Sequence, residues 1–196
     1  MTQTDQSAIQ LIEEMIRRAP NDFKFHGDIA TNLFLYDELK YNGLIEICIN
    51  RDRISKIIKL IPNKYDIRFI KNHEYIDQSK VDYNLISGLD IFDDGKQILS
   101  IIIYDVDNND WIYRLDRDIR MPEQNIYYHS LKWNVDYIKP EIVLMYELNQ
   151  PFKLIKHKNY RNLIDNLSYF QFVTLKLVVG EKIIQDVVDQ HKRNHT

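Results

Sequence analysis

The succession of helical and strand patterns along the chain predicts an α/β (α+β) protein. An amphipathic helical segment opens the sequence, and a strand, a turn, a helix and a second strand follow it. Alternating segments in the middle give way to helical segments at the end. The 196 residues, 44% of them hydrophobic and 28% charged, suit one globular domain. We therefore expect a mixed β-sheet with helices on one face and a C-terminal helical cluster.

The first half of the sequence contains six predicted elements. Ile12 and Met15 recur at helical spacing near the start, and Pro20 ends that helix. Residues 45–50 are a compact, β-branched segment, which is typical of a buried strand. In order, the pattern predicts a helix over 7–18, a short strand over 23–25, a helix over 29–36, a strand over 45–50, a helix over 52–61 and a strand over 65–70.

The second half begins with strands and ends with helices. Apolar or alternating segments at 83–91, 98–106 and 111–115 predict strands, and acidic turns between them predict hairpins. Pro140 suits the first position of a helix. The helices predicted after it cover 141–148, 160–167, 169–178 and 181–191. We assign residues 1–150 to the main domain and 151–196 to a C-terminal helical segment packed on it.

The composition of the chain argues against several classes of function. The formal net charge of −3, without a basic block, argues against general nucleic-acid binding. The single cysteine, Cys48, excludes an intrachain disulfide and a cysteine-based zinc site, and its apolar surroundings predict a buried, inert thiol. No apolar run approaches the roughly 20 residues that a membrane span needs. The first residues lack the pattern of a signal peptide, so we expect a cytoplasmic protein.

Three segments, taken in order, carry a family resemblance. The first is residues 25–30 (Phe-His-Gly-Asp-Ile-Ala), the second is residues 44–47 (Leu-Ile-Glu-Ile), and the third runs from Trp111 to the Pro-Glu pair at 140–141 and its apolar continuation. Together they resemble the small bacterial nucleotidyltransferases related to the aminoglycoside and lincosamide adenylyltransferases. The resemblance covers roughly residues 8–168 and implies a nucleotidyltransferase-like fold for the domain at 1–150.

The resemblance also implies a metal site. In that family, carboxylates hold Mg²⁺ on a nucleoside triphosphate, two of them two residues apart on one strand and a third on a neighbouring strand. A glycine-rich turn lets backbone N–H groups meet the phosphates at a helix N-terminus. The resemblance places Leu44 at the first acidic position, Glu46 at the second and Ser100 at the third, and Asp28 replaces the second glycine of the turn.

Further positions depart from the family pattern. An Arg and a His that precede the acidic pair in the family correspond to Lys40 and Asn42. A Lys-Asp pair after the Pro-Glu helix corresponds to Lys156 and His157, so another acid is missing. The core positions keep their apolar character, whereas the changed positions are those that the chemistry would use.

These positions define the candidate site and its function. Glu46 is the candidate catalytic and metal-binding residue, and Gly27, Asp28 and Lys40 are the candidate nucleotide-binding residues. The cofactor implied is Mg²⁺ if the protein is active and none otherwise. We expect a catalytically impaired or inactive protein that binds a nucleotide or small ligand weakly. Two alternatives stay open: an active Mg²⁺-dependent nucleotidyltransferase that modifies a small molecule such as an antibiotic, and an interaction module of a toxin–antitoxin-like pair. A homodimer or a protein partner is also open, with residues 170–179 as a dimer contact.

Other acidic residues allow both structural and ligand-binding interpretations. Asp90, Asp93 and Asp94 could form a relocated metal site, but the neighbouring Gly95 favours a turn. Residues 105–110 favour a hairpin turn over a calcium loop, because the required Gly and terminal Glu are absent.

The residues of the glycine turn are open to two interpretations as well. For Asp28 we favour a helix cap over a ligand. His26 either packs in the core or contacts a ligand.

Overall fold

The computed structural model describes residues 3–41, 43–149 and 160–193. Short 3₁₀ turns at Arg51–Arg53, Gln78–Lys80 and Glu123–Asn125 join some of its elements. The helices and strands are, in order, α1 (Gln3–Arg18), β1 (Lys24–Phe25), α2 (Gly27–Tyr36), β2 (Ile45–Asn50), α3 (Ile54–Ile58), β3 (Asp66–Lys71), β4 (Glu74–Ile76), β5 (Gly88–Asp93), β6 (Lys96–Asp107), β7 (Asp110–Ile112), β8 (Arg120–Pro122), β9 (Tyr127–Ser130), β10 (Val135–Ile138), α4 (Pro140–Leu148), α5 (Tyr160–Asp165), α6 (Tyr169–Val179) and α7 (Glu181–Arg193).

The strands form one mixed sheet. Its order is β4-β3-β5-β6-β2-β1-β10-β9, and β7 pairs with both β6 and β8. Strand β2 is parallel to β6 and β1 is parallel to β10, whereas the hairpins β3–β4, β5–β6, β6–β7 and β9–β10 are antiparallel. The predicted α/β class with a mixed sheet is therefore confirmed.

The N-terminal helices cover one face of this sheet. Alternate residues of a strand point to opposite faces, so Ile47 and Glu46 of β2 face different sides. Ile47 belongs to a buried cluster with Ile12 of α1, Leu33 of α2 and Ile57 of α3. The face that carries Glu46 is called here the Glu46 face.

A second core lies on the Glu46 face and contains the C-terminal helices. Cys48 of β2 is fully buried in it, as expected, and burial raises the pKa of its thiol. The cluster joins Trp111 and Tyr113 to α4 and to one or more residues of each later helix: Leu163, Ile164, Leu175, Val179, Ile184 and Val187. The predicted C-terminal helical cluster is confirmed, whereas the domain boundary predicted at 150/151 lies outside the described residues.

Several predicted elements start or end elsewhere, and two of these differences have a clear local cause. The strand predicted over 83–91 begins only at Gly88, because a turn precedes it: the Asp82 side chain accepts a hydrogen bond from Asn84 N at 2.9 Å. The helix predicted over 52–61 is a 3₁₀ turn followed by α3, which ends at Ile58. Pro62 lies just beyond, and it cannot donate the N–H that a longer helix would need.

Four short strands are absent from the sequence prediction: β4, β8, β9 and β10. Each has three or four residues, too few to show a clear alternation, and each is fixed by the strand it pairs with. Asn134, with φ 51, provides the left-handed residue just before β10 in the β9–β10 hairpin. The strand predicted over 111–115 ends at Ile112.

Helix α6 presents apolar side chains to solvent. Tyr169, Phe170 and Leu177 are exposed, the last two by 81% each. They lie in or beside the segment 170–179, where the sequence predicted a dimer contact, and that contact stays a prediction. Among the helices of the described ranges, none has the length and apolar character to cross a lipid bilayer.

Candidate functional site

The glycine turn lies between β1 and α2. His26 is the N-cap of α2, in extended conformation, and its backbone N–H donates to the carbonyl of Glu46 at 2.9 Å. Gly27 follows with φ 57, a left-handed conformation that favours glycine. Asp28 is exposed in the first helical turn, so the prediction that it caps the helix is wrong. Its carboxylate instead lies near the positive end of the helix dipole.

Glu46 extends from β2 across the start of α2. A Cβ atom added to Gly27 would lie 1.9 Å from Oε2 of Glu46 and 2.9 Å from its Cδ. Glycine is therefore needed at position 27 for two reasons, its backbone conformation and the close approach of this carboxylate. The contact brings together two residues that the sequence assigned to the site, and it leaves the Glu46 carboxylate half-buried at the N-terminus of α2.

A third acidic residue, Glu147, completes a cluster that the sequence did not predict. His26, Glu46 and Glu147 each offer one ligand atom, and these atoms all lie within 4.8 Å of one another. His26 is 1% exposed and packs edge-to-face against Tyr146, with ring centroids 5.9 Å apart. The hydroxyl of Tyr160 donates to Oε2 of Glu147 at 2.8 Å. Three elements, the turn before α2, strand β2 and helix α4, thus meet at one point.

The acids around this point affect the pKa of one neighbouring side chain, Tyr160. Burial raises the pKa of Tyr160, and the carboxylates of Glu147, Asp28 and Glu46 raise it further. An imidazole and two carboxylates are donors that divalent cations accept in proteins. The residues therefore fit a divalent cation held by His26, Glu46 and Glu147.

A row of polar residues continues from Glu46 across the sheet. Ser100 on β6 is the cross-strand partner of Glu46 on one side and of Asp90 on the other. Ser100 donates to Oδ1 of Asp90 at 2.8 Å, and Tyr75 donates to Oδ2 at 2.7 Å. Burial and this hydrogen bond raise the pKa of Tyr75 to about 12. Asp90 is only 5% exposed, and both of its oxygens accept hydrogen bonds from hydroxyl groups.

The three acids near the β5–β6 hairpin therefore differ in role. Asp90 lies inside β5, so its assignment to the turn is wrong. Asp93 ends β5, and the turn follows through Asp94 (φ 47) and Gly95 (φ 79), as predicted. Asn108 and Asn109 form the similar left-handed turn between β6 and β7, which confirms the hairpin predicted at 105–110.

The other described positions named in the family resemblance, 40, 44 and 100, carry no acidic residue. Leu44 precedes β2 and is 40% exposed, and Ser100 makes its hydrogen bond to Asp90. Lys40 lies in the segment after α2, where it forms an ion pair with Glu38. Its neighbour Tyr41 packs on the first core, on the face opposite Glu46. The structure thus brings Gly27, Asp28 and Glu46 together, and no contact among the described residues brings Lys40 to them.

Sequence reasoning missed Glu147, Tyr160 and the buried position of Asp90. Glu147 lies near the end of α4, seven residues after Pro140, and only the parallel pairing of β1 with β10 brings α4 beside the glycine turn. A strand prediction for 135–138 would have supplied that signal. Asn42, Lys156 and His157, the other positions of the resemblance, lie outside the described residues.

Comparisons with known proteins give the following findings. No protein-family model and no curated protein matches the sequence. The chain is similar to the Megavirus polyadenylate synthase at TM-score 0.46 and 12% identity, over 98% of this chain and 36% of that protein, so it spans about a third of that length. It is similar to JHP933 from Helicobacter pylori at TM-score 0.43 and 13% identity, over 100% of this chain and 97% of that one. It is similar to a candidate nucleotidyltransferase from H. pylori at TM-score 0.45 and 12% identity, over 98% of each chain.

Proposed function

We propose that this protein is a cytoplasmic, nucleotidyltransferase-like protein that binds a nucleotide together with a divalent cation and has lost efficient transfer. The observation that supports the proposal is the contact between Glu46 and Gly27 at the start of α2, where a Cβ would lie 1.9 Å from the carboxylate. This is the pair of features that the family resemblance requires, an acid on the second strand and a glycine turn, and the fold places them against each other.

Charge makes the cation a requirement for nucleotide binding. Asp28 lies in the first turn of α2, Glu46 approaches Gly27 there, and Glu147 has a ligand atom within 4.8 Å of one of Glu46, so three carboxylates lie around the N-terminus of α2. Backbone N–H groups and the helix dipole attract a phosphate there, but the carboxylates repel it. A divalent cation reverses the local charge and allows the phosphate to approach. We therefore expect nucleotide binding that depends strictly on a divalent cation.

Two positions explain why transfer is impaired in this proposal. Leu44 offers no ligand at the first acidic position, and Ser100 at the third donates its hydroxyl to Asp90. A two-cation site, which needs several bridging oxygens, therefore lacks two of its usual carboxylates. One cation is enough to bind a triphosphate, whereas the acceptor hydroxyl has no second cation to activate it.

The test is calorimetric titration of ATP, GTP, CTP and UTP into the purified protein, with and without excess Mg²⁺ or Mn²⁺. We expect binding of at least one nucleotide only with the cation present, and an affinity roughly tenfold or more lower in Glu46→Gln. Glu74→Gln is the matched control, because Glu74 is exposed on β4 at the far edge of the sheet. No binding of any nucleotide, or equal binding by Glu46→Gln, would contradict the proposal.

One observation favours the alternative of an active transferase. Glu147 supplies a second carboxylate close to Glu46, although from helix α4 rather than from the strand. Transfer of nucleotide to a small acceptor such as an aminoglycoside or lincosamide, lost in Glu147→Gln, would support this alternative. Unchanged inhibitory concentrations of aminoglycosides and lincosamides, for a host that expresses the protein, would count against this alternative.

A third proposal concerns a partner protein. The exposed Tyr169, Phe170 and Leu177 of α6 are candidates for a contact with a second copy or with another protein. Light scattering across a concentration series, with Phe170→Ser as the variant, tests self-association. A monomer at every concentration, purified without a stoichiometric partner, would exclude both forms of this proposal.

A further inference from the structure

We infer that the cluster of His26, Glu46 and Glu147 binds a transition-metal cation of the Zn²⁺ or Mn²⁺ type in preference to Mg²⁺. The inference rests on the proposed function, whose cation it names, and it makes His26 a metal ligand. Three kinds of observation support it: the donor atoms, the rigidity of their positions and the surrounding hydrogen bond.

The donor atoms are the first argument. One imidazole and two carboxylates have ligand atoms within 4.8 Å of one another. Mg²⁺ prefers oxygen donors in near-octahedral geometry and keeps several waters, whereas imidazole suits Zn²⁺ and other first-row transition metals. Zn²⁺ binds nitrogen and oxygen at roughly 2.0–2.2 Å in tetrahedral geometry, so its ligands lie roughly 3.3–3.6 Å apart. Small rotations of the two half-buried glutamates would close the remaining distance.

Rigid positioning of the histidine is the second argument. His26 is 1% exposed, its backbone N–H donates to the Glu46 carbonyl at 2.9 Å, and its ring packs on Tyr146. The same residue is the N-cap of α2, but its side chain makes no capping hydrogen bond there. Its ring is therefore held between the sheet and α4, next to the carboxylates of Glu46 and Glu147.

Support of the glutamates is the third argument. The Glu46 carboxylate occupies the space that only glycine at position 27 leaves open. The hydroxyl of Tyr160 donates to Oε2 of Glu147 at 2.8 Å and so orients this carboxylate. Hydrogen bonds of this kind fix ligand orientation in metal sites. The two carboxylates and a neutral imidazole give a charge of −2, which matches a divalent cation.

The experiment titrates each metal alone, without nucleotide, into the purified full-length chain. Separate calorimetric titrations use Zn²⁺, Mn²⁺ and Mg²⁺ at one pH. We expect one cation per chain and the affinity order Zn²⁺ > Mn²⁺ > Mg²⁺, with Zn²⁺ at least roughly tenfold tighter than Mg²⁺. Co²⁺ serves as a spectroscopic probe, because its visible absorption is much stronger in a four-coordinate protein site than in water. Equal affinity for Zn²⁺ and Mg²⁺ would overturn the inference.

The decisive variant is His26→Gln, which replaces the imidazole with an oxygen donor of similar length. We expect a roughly tenfold or greater loss of Zn²⁺ affinity, with Mg²⁺ affinity changed less than about threefold. His129→Gln is the control, because His129 contacts Asp136 at 2.8 Å in a surface pair that could bind Zn²⁺ adventitiously. Loss of Zn²⁺ binding in His129→Gln instead of His26→Gln would overturn the inference.

A second variant keeps the test valid if His26→Gln does not fold. Glu147→Gln retains an oxygen that can accept the hydrogen bond from Tyr160, and we expect it to lower Zn²⁺ affinity as well. Unchanged Zn²⁺ affinity in Glu147→Gln would also overturn the inference. Metal binding without any nucleotide binding would support the inference and contradict the proposed function. Nucleotide binding with Mg²⁺ alone, without a preference for Zn²⁺, would support the proposed function and overturn the inference.

Discussion

Glu46 and Asp90 lie on the same face of the sheet, one strand to each side of Ser100, yet their surroundings are opposite. Asp90 is almost fully buried and accepts hydrogen bonds from two hydroxyl groups, so its charge is satisfied within the fold. Glu46 is half-buried, and a second carboxylate and an imidazole, those of Glu147 and His26, offer ligand atoms within 4.8 Å of its own. The comparison teaches that neighbouring groups, and not position in the sheet, separate the hydrogen-bonded Asp90 from the candidate ligand Glu46.

The largest effect that we expect is a loss of stability when Asp90 is replaced. Replacing Asp90 with Ala leaves the hydroxyls of Ser100 and Tyr75 without their acceptor, and we expect a loss of about 2 kcal/mol in the free energy of unfolding. Urea denaturation measures it, and Asp93→Ala at the end of β5 is the control, with a change below about 0.5 kcal/mol. Equal effects of the two substitutions would remove the structural role assigned to Asp90. A roughly tenfold loss of metal affinity in Asp90→Ala would show that the two acids form one site.

The next effect concerns the acid that the resemblance expects at position 44. Leu44 is 40% exposed in the bend that leads into β2, two residues before Glu46, so Leu44→Asp adds a carboxylate near the start of this strand at little cost in stability. We expect Mg²⁺ affinity to rise about tenfold, equivalent to about 1.4 kcal/mol. Leu131→Asp is the control, because Leu131 is 90% exposed and lies elsewhere on the surface. This substitution should leave the Mg²⁺ affinity unchanged. An unchanged affinity in Leu44→Asp would mean that the two positions do not share a cation.

A smaller effect is expected at the glycine turn. Gly27→Ala places a side chain at φ 57, which costs about 1 kcal/mol, and its Cβ also displaces the Glu46 carboxylate. Gly95→Ala is the matched control, because Gly95 has φ 79 and an added Cβ would have no atom within 4 Å. Thermal unfolding should show similar losses in both variants, whereas calorimetry should show reduced metal affinity only in Gly27→Ala. Full affinity in Gly27→Ala would separate the turn from the cation site.

The smallest effect is a gain in stability at Glu46. Glu46→Gln removes one of several nearby negative charges, and we expect the metal-free protein to become more stable by about 0.5 kcal/mol. The same substitution should reduce the stabilisation by added cation. Urea denaturation in the presence of a chelator, and then with metal, measures both. A loss of stability in the chelator would indicate that Glu46, like Asp90, has a structural role.

Local sequence patterns determined the regular elements of this protein. The strand predicted over 45–50 matches β2 residue for residue, and Pro140 begins α4 as expected. These predictions succeed because apolar periodicity, β-branching and the missing proline N–H act within a few neighbouring residues. The sequence also predicted Glu46 and the glycine turn as parts of one candidate site, because their neighbours in the chain carry the family resemblance, and the two are in contact in the structure.

Tertiary structure alone decided which distant residues join that turn. The pairing of β1 with β10 brings Glu147, which accepts a hydrogen bond from Tyr160, close to His26, and the pairing of β5 with β6 buries Asp90 against Ser100. More than a hundred residues separate Glu147 from His26 in the chain, so no local pattern records their approach. The sequence determined where a cation-binding acid could stand, and sheet pairing decided which other groups surround it, because a ligand set depends on distances across the fold.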